Sequence, residues 1–135
     1  MKRRVKARLV IYYLEKRGRE LLEKYWRDID ETIGRTKIGV YALYAKSGNI
    51  YYLGVARKNI VKKLLHHLND RHKNKWYSFS LYVCKSLKQI SALETLFLRL
   101  SRPKGNKIAG RFKGSIDLAN ELRRSLNEKR ALLAR

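Results

Sequence analysis

The stretch IGVYALYAKSGNIYYLGVA, residues 38–56, decides the fold. Residues 38–45 are rich in β-branched and aromatic side chains, and residues 50–55 return to a similar composition. Between them, KSGN at residues 46–49 is a turn signal. Two strands separated by so short a turn pair with each other. The pattern therefore predicts an antiparallel hairpin.

The segments after the hairpin alternate between helix and strand. Asn59 is a favoured helix N-cap, and apolar residues follow it at three-to-four spacing. Residues 76–84 alternate between two faces, as in a strand, and residues 87–101 form a second amphipathic helix that ends before Pro103. This order predicts an α+β fold with helices against a small, mostly antiparallel, three-stranded sheet.

Both ends of the chain have helical patterns. Residues 1–36 are highly charged and carry apolar residues at helical spacing, and Ser115 is positioned to cap a helix that runs towards the last residue. We therefore expect a basic helical N-terminal extension at residues 1–36, a folded domain at residues 37–114, and a C-terminal helix at residues 115–135 that packs on or extends the domain.

The net charge is strongly positive. Lys and Arg number 33 against 11 Asp and Glu, which gives a formal net charge of +22. A small domain so far from neutrality repels itself unless a polyanion compensates. Lys and Arg that neutralise phosphates release condensed counterions, which drives binding to nucleic acid. Nucleic acid is the predicted partner, although a membrane surface or a ribosome also fits the charge taken alone.

The sequence also indicates a compartment. Cys84 is the single cysteine, so an internal disulfide and a cysteine zinc site are excluded. The apolar run at residues 9–14 is too short for a signal peptide and contains two tyrosines. No segment reaches the roughly 18 apolar residues that a membrane span needs. We expect a cytoplasmic protein that does not enter a membrane.

Specific motifs then point to a family. GVY at residues 39–41 and YLG at residues 52–54 resemble the two name-giving motifs of the GIY-YIG nuclease family. A helix with a basic residue and a histidine one turn apart follows, then LE at residues 93–94 and PKGN at residues 103–106, in the family's order. The resemblance implies a GIY-YIG fold and a metal-dependent endonuclease that hydrolyses DNA phosphodiesters.

The resemblance also implies a role for each matched side chain. Glu94 would hold the single divalent metal ion, Mg²⁺ or alternatively Mn²⁺, whose oxygen-rich coordination suits a carboxylate. Tyr41 would help to activate the attacking water, as a phenolate or through a hydrogen-bond network. Tyr52 and His67 would organise the groups around it, and Asn106 would support the site from the loop after the glutamate helix.

Helical spacing gives an independent view of Glu94. Ile90 and Leu98 lie one turn away on either side, which predicts that the carboxylate lies within the apolar stripe. An unpaired carboxylate there is costly, so it must bind a metal ion, a cation or a hydrogen-bond donor, or else be neutral. A structural ion pair is the alternative to a metal site. For Tyr41 and Tyr52, the alternative is a core aromatic with a satisfied hydroxyl.

The helix after the second motif departs from the family pattern. The family has an arginine there, whose guanidinium binds the scissile phosphate. Lys62 and Lys63 are the candidates here, and we select Lys63 because His67, one turn later, borders the apolar stripe while His66 points to solvent. Lysine keeps the charge but loses the bidentate geometry, so activity is expected to be weaker or altered. Arg57, in the preceding loop, is an alternative source of the guanidinium.

Basic residues around these positions predict a nucleic-acid-binding surface. They are Arg57, Lys58, Lys62, Lys63, Arg71, Lys73, Lys75, Arg102, Lys104, Lys107, Arg111 and Lys113. A merely solvated charged face is the alternative, but acidic residues hardly interrupt these runs.

The predicted function is metal-dependent hydrolysis of DNA, with RNA as an alternative substrate and a homodimer as one way to cut both strands. The rival hypothesis is a catalytically weak or inactive GIY-YIG-like module that binds nucleic acid, for which the missing arginine is the main support. A structural ribonucleoprotein component would also account for the charge, but it does not require Glu94 in an apolar stripe.

Overall fold

A computed structural model describes residues 9–106, 116, 118 and 119. Four strands and three helices follow one another along residues 9–106: β1 Val10–Gly18, α1 Arg19–Ile33, β2 Gly39–Tyr44, β3 Ile50–Ala56, α2 Ile60–His66, β4 Ser78–Cys84 and α3 Leu87–Ser101. The strands form one antiparallel sheet in the order β1-β4-β2-β3. The predicted α+β class is confirmed. Of the predicted C-terminal helix, only residues 116, 118 and 119 are described, and Leu118 and Ala119 are helical.

The N-terminal segment corrects the prediction. Helix was expected throughout residues 1–36, but Val10–Gly18 is a strand that pairs with β4, from Val10 opposite Cys84 to Gly18 opposite Ser78. The sheet therefore has four strands rather than the predicted three. The run VIYYL at the start of β1 is β-branched and aromatic, and such side chains favour a strand where a neighbouring edge is available to pair. Helix is confirmed for Arg19–Ile33.

The hairpin is formed as predicted. β2 and β3 pair from Gly39 opposite Ala56 to Tyr44 opposite Ile50. The turn between them requires Gly48, whose φ of 93° is rarely adopted by other residues. β2 lies between β3 and β4, and all of its residues are buried.

The two faces of the sheet carry different helices. Side chains of α1 and α2 share the largest buried cluster with one face, and its members include Leu22, Ile33, Tyr41, Leu43, Ile60, Leu64, Trp76, Phe79, Leu81 and Val83. α3 packs on the other face through Ile90 and Leu98. Tyr41 therefore points to the face that α2 covers. Among the described residues, no helix is long and apolar enough to cross a membrane.

Candidate active site

The hairpin register brings the two motif tyrosines together. Tyr41 lies opposite Gly54, Tyr52 lies opposite Leu43, and the two phenol rings are 6.2 Å apart between centroids. Gly54 makes this possible, because a Cβ at that position would overlap the Tyr41 ring. The glycine of the second motif thus leaves the space that the tyrosine of the first motif fills.

Gly54→Ala is therefore expected to destabilise the fold by about 1–3 kcal/mol, the usual cost of overpacking a core, and to displace the Tyr41 hydroxyl. Urea unfolding measures the first effect. Gly18→Ala is the matched control, since a Cβ at Gly18 meets nothing within 4 Å; its expected change is below about 1 kcal/mol. Equal stabilities for the two variants would contradict the steric argument.

His67 connects the hydroxyl of Tyr41 to the carboxylate of Asp70. His67 follows α2 directly and is only 6% exposed. Its Nε2 lies 2.7 Å from the Tyr41 hydroxyl, and its Nδ1 lies 2.6 Å from an oxygen of Asp70. The indole N–H of Trp76 donates to the His67 carbonyl, at 3.1 Å. The prediction that His67 rather than His66 is buried is confirmed, because His66 is exposed.

Asp70 and His72 belong to the same hydrogen-bonded cluster as Tyr41 and His67, and sequence reasoning missed both. Asp70 accepts from the backbone N–H of His72 at 2.9 Å, and Nδ1 of His72 lies 2.8 Å from the Tyr51 hydroxyl. The Tyr52 ring packs near both imidazoles, at centroid distances of 5.1 Å to His67 and 4.6 Å to His72. The available signal was an acid and a second histidine three and five residues after His67.

Both phenols are held in their neutral form. Burial raises the pKa of Tyr41 far above its usual value, and the nearby Tyr52 hydroxyl and the carboxylates of Asp70 and Glu94 add to that rise. Burial also raises the pKa of Tyr52, which the positive charge of Arg71 partly offsets. A standing phenolate at Tyr41 is therefore disfavoured, which favours the hydrogen-bond network of the two alternatives expected for this residue.

The imidazole beside Tyr41 is neutral as well. Burial lowers the pKa of His67, although the hydrogen bond and charge of Asp70 act in the opposite direction. Burial alone would raise the pKa of Asp70, but hydrogen bonds from the His72 amide and the His67 ring outweigh it and lower that pKa. Near neutral pH the cluster is a phenol, a neutral imidazole and a carboxylate in a row.

Glu94 lies at the edge of its helix stripe rather than within it. Ile90 and Leu98 are buried as expected, but Phe97 is 38% exposed and the Glu94 side chain is 29% exposed. The prediction that this carboxylate lies within the apolar stripe is therefore met only in part, because its neighbours one turn away are buried while the side chain itself is partly exposed. Water reaches the side chain, so its charge does not have to be neutralised inside the protein.

Among the described residues, the cation nearest to Glu94 is the guanidinium of Arg57. The two groups are 3.9 Å apart, which is longer than a hydrogen bond, and the Arg57 side chain is more than half exposed. The same guanidinium donates to the Ser91 hydroxyl at 2.9 Å. The structure thus places an arginine, supplied by the loop after β3, beside the metal-ligand candidate.

Two places in the structure offer ligand atoms for a metal ion: the Glu94 carboxylate, and the group of His67, Asp70 and His72. Glu94 offers a partly exposed carboxylate whose ion pair is loose, and oxygen donors suit Mg²⁺. Ligand atoms of His67, Asp70 and His72 lie within 4.8 Å of one another. These three already form hydrogen bonds with each other and with the tyrosines. We therefore assign the second set to hydrogen bonding and keep Glu94 as the metal candidate.

The basic residues separate into two groups. Arg57, Lys58, Lys62 and Lys63 line a cavity of about 480 Å³ together with Val55, Asn59 and His66. The second group lies in the loops after α2 and α3 and consists of Arg71, Lys73, Lys75, Arg102 and Lys104, all exposed. Arg71 donates to the Gly105 carbonyl at 3.3 Å. Lys107, Arg111 and Lys113 lie outside the described residues.

The Asn106 side chain is hydrogen-bonded to the backbone of β3. Its side chain accepts from the Leu53 N–H at 2.8 Å and donates to the Leu53 carbonyl at 2.6 Å. The backbone N–H of Gly105 donates to the Tyr51 carbonyl at 2.7 Å. Asn106 therefore fixes the loop after α3 to the strand that carries Tyr52.

Comparison with known proteins adds a finding about the fold. The sequence matches no protein-family model and no curated protein. Among solved structures, it is similar to the GIY-YIG N-terminal endonuclease domain of UvrC from Thermotoga maritima bound to its catalytic divalent cation, magnesium. The TM-score is 0.51 at 22% identity over 65% of this chain and 98% of that chain.

Two variants of that domain, each with one tyrosine replaced by phenylalanine and each bound to the divalent cation, are similar to the same extent. Their TM-scores are 0.50 and 0.51, at 22% and 21% identity, over 63% and 65% of this chain and 98% of theirs. At these identities the likeness concerns the fold. Together with the paired motif tyrosines, it shows that this chain has the fold of the GIY-YIG endonuclease domain.

Proposed function

We propose that the protein is an endonuclease that hydrolyses DNA phosphodiester bonds with a divalent cation, Mg²⁺ or Mn²⁺, at Glu94. The observation that carries the proposal is the contact between Tyr41 and His67 within this fold. A buried motif tyrosine is paired with a neutral base at 2.7 Å. A core tyrosine needs only an acceptor for its hydroxyl, whereas this acceptor is itself backed by the Asp70 carboxylate at 2.6 Å.

The chain's own groups have distinct tasks in this proposal. Tyr41 accepts a hydrogen bond from the attacking water and passes its own proton towards His67, while Tyr52 packs beside both. Arg57 and Lys63 bind non-bridging phosphate oxygens from the basic cavity. A cation bound at Glu94 would offset negative charge that develops on the phosphate. In-line attack with departure of the 3′-oxygen leaves a 5′-phosphate.

In this proposal, Arg57 compensates for the lysine that stands where the family has an arginine. Lys63 lines the basic cavity and is the residue that we match to the family's arginine. Arg57 lines the same cavity, with its guanidinium 3.9 Å from the Glu94 carboxylate. The guanidinium can grip a phosphate with two parallel hydrogen bonds, which an ammonium cannot. We therefore assign phosphate stabilisation to Arg57 with Lys63 as a second charge.

The second candidate function is a nucleic-acid-binding module without turnover. Lysine at position 63 favours it, because an ammonium group lacks the bidentate geometry with which a guanidinium stabilises the phosphate. The two functions share the basic surface and differ only in the chemistry of the site. The substrate is proposed as DNA, with RNA as an alternative. Cleavage of both strands by a pair of chains is a further part of the proposal.

Metal removal separates the two candidates. Supercoiled plasmid and linear duplex incubated with the purified full chain should be nicked with Mg²⁺ or Mn²⁺ and left intact with EDTA, because Glu94 needs the cation to act on the phosphate. A gel-shift measurement in EDTA should still detect binding, since the basic groups do not need the metal. Binding without metal-dependent nicking would support the binding module and overturn the endonuclease.

A further inference from the structure

Three groups stand in line behind the Tyr41 hydroxyl. His67 Nε2 lies 2.7 Å from that hydroxyl, and Nδ1 lies 2.6 Å from one Asp70 oxygen. The other Asp70 oxygen accepts from the His72 backbone N–H at 2.9 Å. A carboxylate only accepts, and a neutral imidazole has one N–H. The proton of His67 is therefore on Nδ1, and the lone pair of Nε2 faces Tyr41.

We propose that Asp70 is a positioning residue of the active site, which fixes His67 in the tautomer that takes the Tyr41 proton. The inference rests on the proposed function. In the opposite tautomer, the Nδ1 lone pair would face a carboxylate oxygen at 2.6 Å, which is repulsive. The backbone N–H of His72 holds the carboxylate in place, so the orientation is set by the chain after α2.

In the proposed step, one proton passes from water through Tyr41 to His67. As water attacks phosphorus, its oxygen forms the new P–O bond and one of its protons moves to the Tyr41 oxygen. The Tyr41 proton moves to His67 Nε2 in the same step, and the bond from phosphorus to the 3′-oxygen breaks with its electron pair on that oxygen, which takes a proton from solvent water to become the 3′-hydroxyl. Tyr41 is neutral before and after, so a free phenolate is never formed. The imidazolium of His67 is then paired with Asp70 until it releases its proton to solvent.

Asp70 is the main negative charge that stabilises the His67 imidazolium against the positive charges around it. Lys63 and His66 of α2 disfavour positive charge on His67, and His72 lies 5.3 Å away between ring centroids. The β3 residue Tyr52 offers an uncharged ring, and the carboxylate of Glu94 on α3 acts on Tyr41. Among the described residues, Asp70 is the carboxylate in direct contact with the His67 ring.

Asp70→Asn is a sharp test because the His72 amide needs an acceptor. The asparagine oxygen would stay on that N–H, which turns its NH₂ towards His67 Nδ1 and forces the proton onto Nε2. The single-turnover rate constant for nicking is expected to fall about 10²- to 10⁴-fold, with DNA affinity unchanged. In any residual activity, the acid limb of the pH–rate profile should move to lower pH, because the carboxylate that raises the pKa of His67 is gone.

Asp70→Glu keeps an acceptor-only group and should recover part of the rate. Asp28→Asn, on the exposed side of α1, is the matched control and should cleave like wild type. Imidazole ¹⁵N NMR of wild type reads the tautomer without catalysis and should place the proton on Nδ1. A proton on Nε2, or cleavage by Asp70→Asn at the wild-type rate and pH profile, would overturn the positioning role alone. Absence of wild-type cleavage would overturn the proposed function as well.

Discussion

Glu94→Gln is expected to remove metal-dependent nicking, with a fall in rate constant of at least about 10³-fold. Losing one preorganised group that stabilises transition-state charge typically costs 10²–10³-fold, and glutamine here also loses the charge that holds the cation. The side chain is partly exposed and its ion pair with Arg57 is loose. We therefore expect little change in stability, about 0–1 kcal/mol, as for surface ion pairs.

The measurement is single-turnover nicking over a range of Mg²⁺ and Mn²⁺ concentrations, beside circular dichroism and DNA binding in EDTA. Glu23→Gln is the matched control, because Glu23 is an exposed glutamate of α1 on the opposite face of the sheet from α3. It should cleave like wild type. If Glu94→Gln retained wild-type cleavage at every metal concentration, Glu94 would not be the ligand, and the His67, Asp70 and His72 set would replace it as the metal candidate.

Tyr41→Phe is expected to lower the single-turnover rate constant about 10²- to 10⁴-fold, the usual contribution of a positioned proton-transfer group. The phenylalanine ring fills the space beside Gly54, so the fold persists. The loss leaves His67 Nε2 without its 2.7 Å partner. An unsatisfied buried acceptor costs about 1–3 kcal/mol, so the midpoint of urea unfolding should fall as well.

Tyr44→Phe is the control for that loss of stability. Tyr44 is a buried tyrosine of the same strand, with its hydroxyl 2.8 Å from the Ser80 hydroxyl, but it packs on the α3 face with Leu98. Both variants should unfold at lower urea concentration, and only Tyr41→Phe should lose cleavage. Equal losses of activity would assign the effect to stability, and retained activity in Tyr41→Phe would contradict its role in proton transfer.

The parts of the fold that depend on local patterns were predictable. The hairpin follows from its composition and the turn at Gly48, and the start of α2 follows from Asn59, whose side chain accepts from the Lys62 N–H. β1 was missed because its charged second half, EKRG, continues into a helix, and its strand state depends on a partner far along the chain. One contact in that pairing, from the Lys16 N–H to the Ser80 hydroxyl, spans 64 residues.

The site was predictable to the extent that each side chain sits on a regular element. Helical spacing separated His67 from His66, and strand pairing placed Tyr41 and Tyr52 together. Asp70 was not predictable, because it lies after α2 and its orientation is fixed by a backbone N–H in the loop. The exposure of Glu94 was also missed, since a helical stripe indicates direction but not where the packed neighbour ends.

The amide of Asn106 has a consequence beyond the site. β3 is an outer strand of the sheet. Backbone groups of Tyr51 and Leu53 on its outer edge form hydrogen bonds with Gly105 and Asn106. Open strand edges are templates on which other polypeptides add and aggregate. Two loop residues thus cover these backbone groups on the outer edge of β3, which makes this edge a poorer template for another strand.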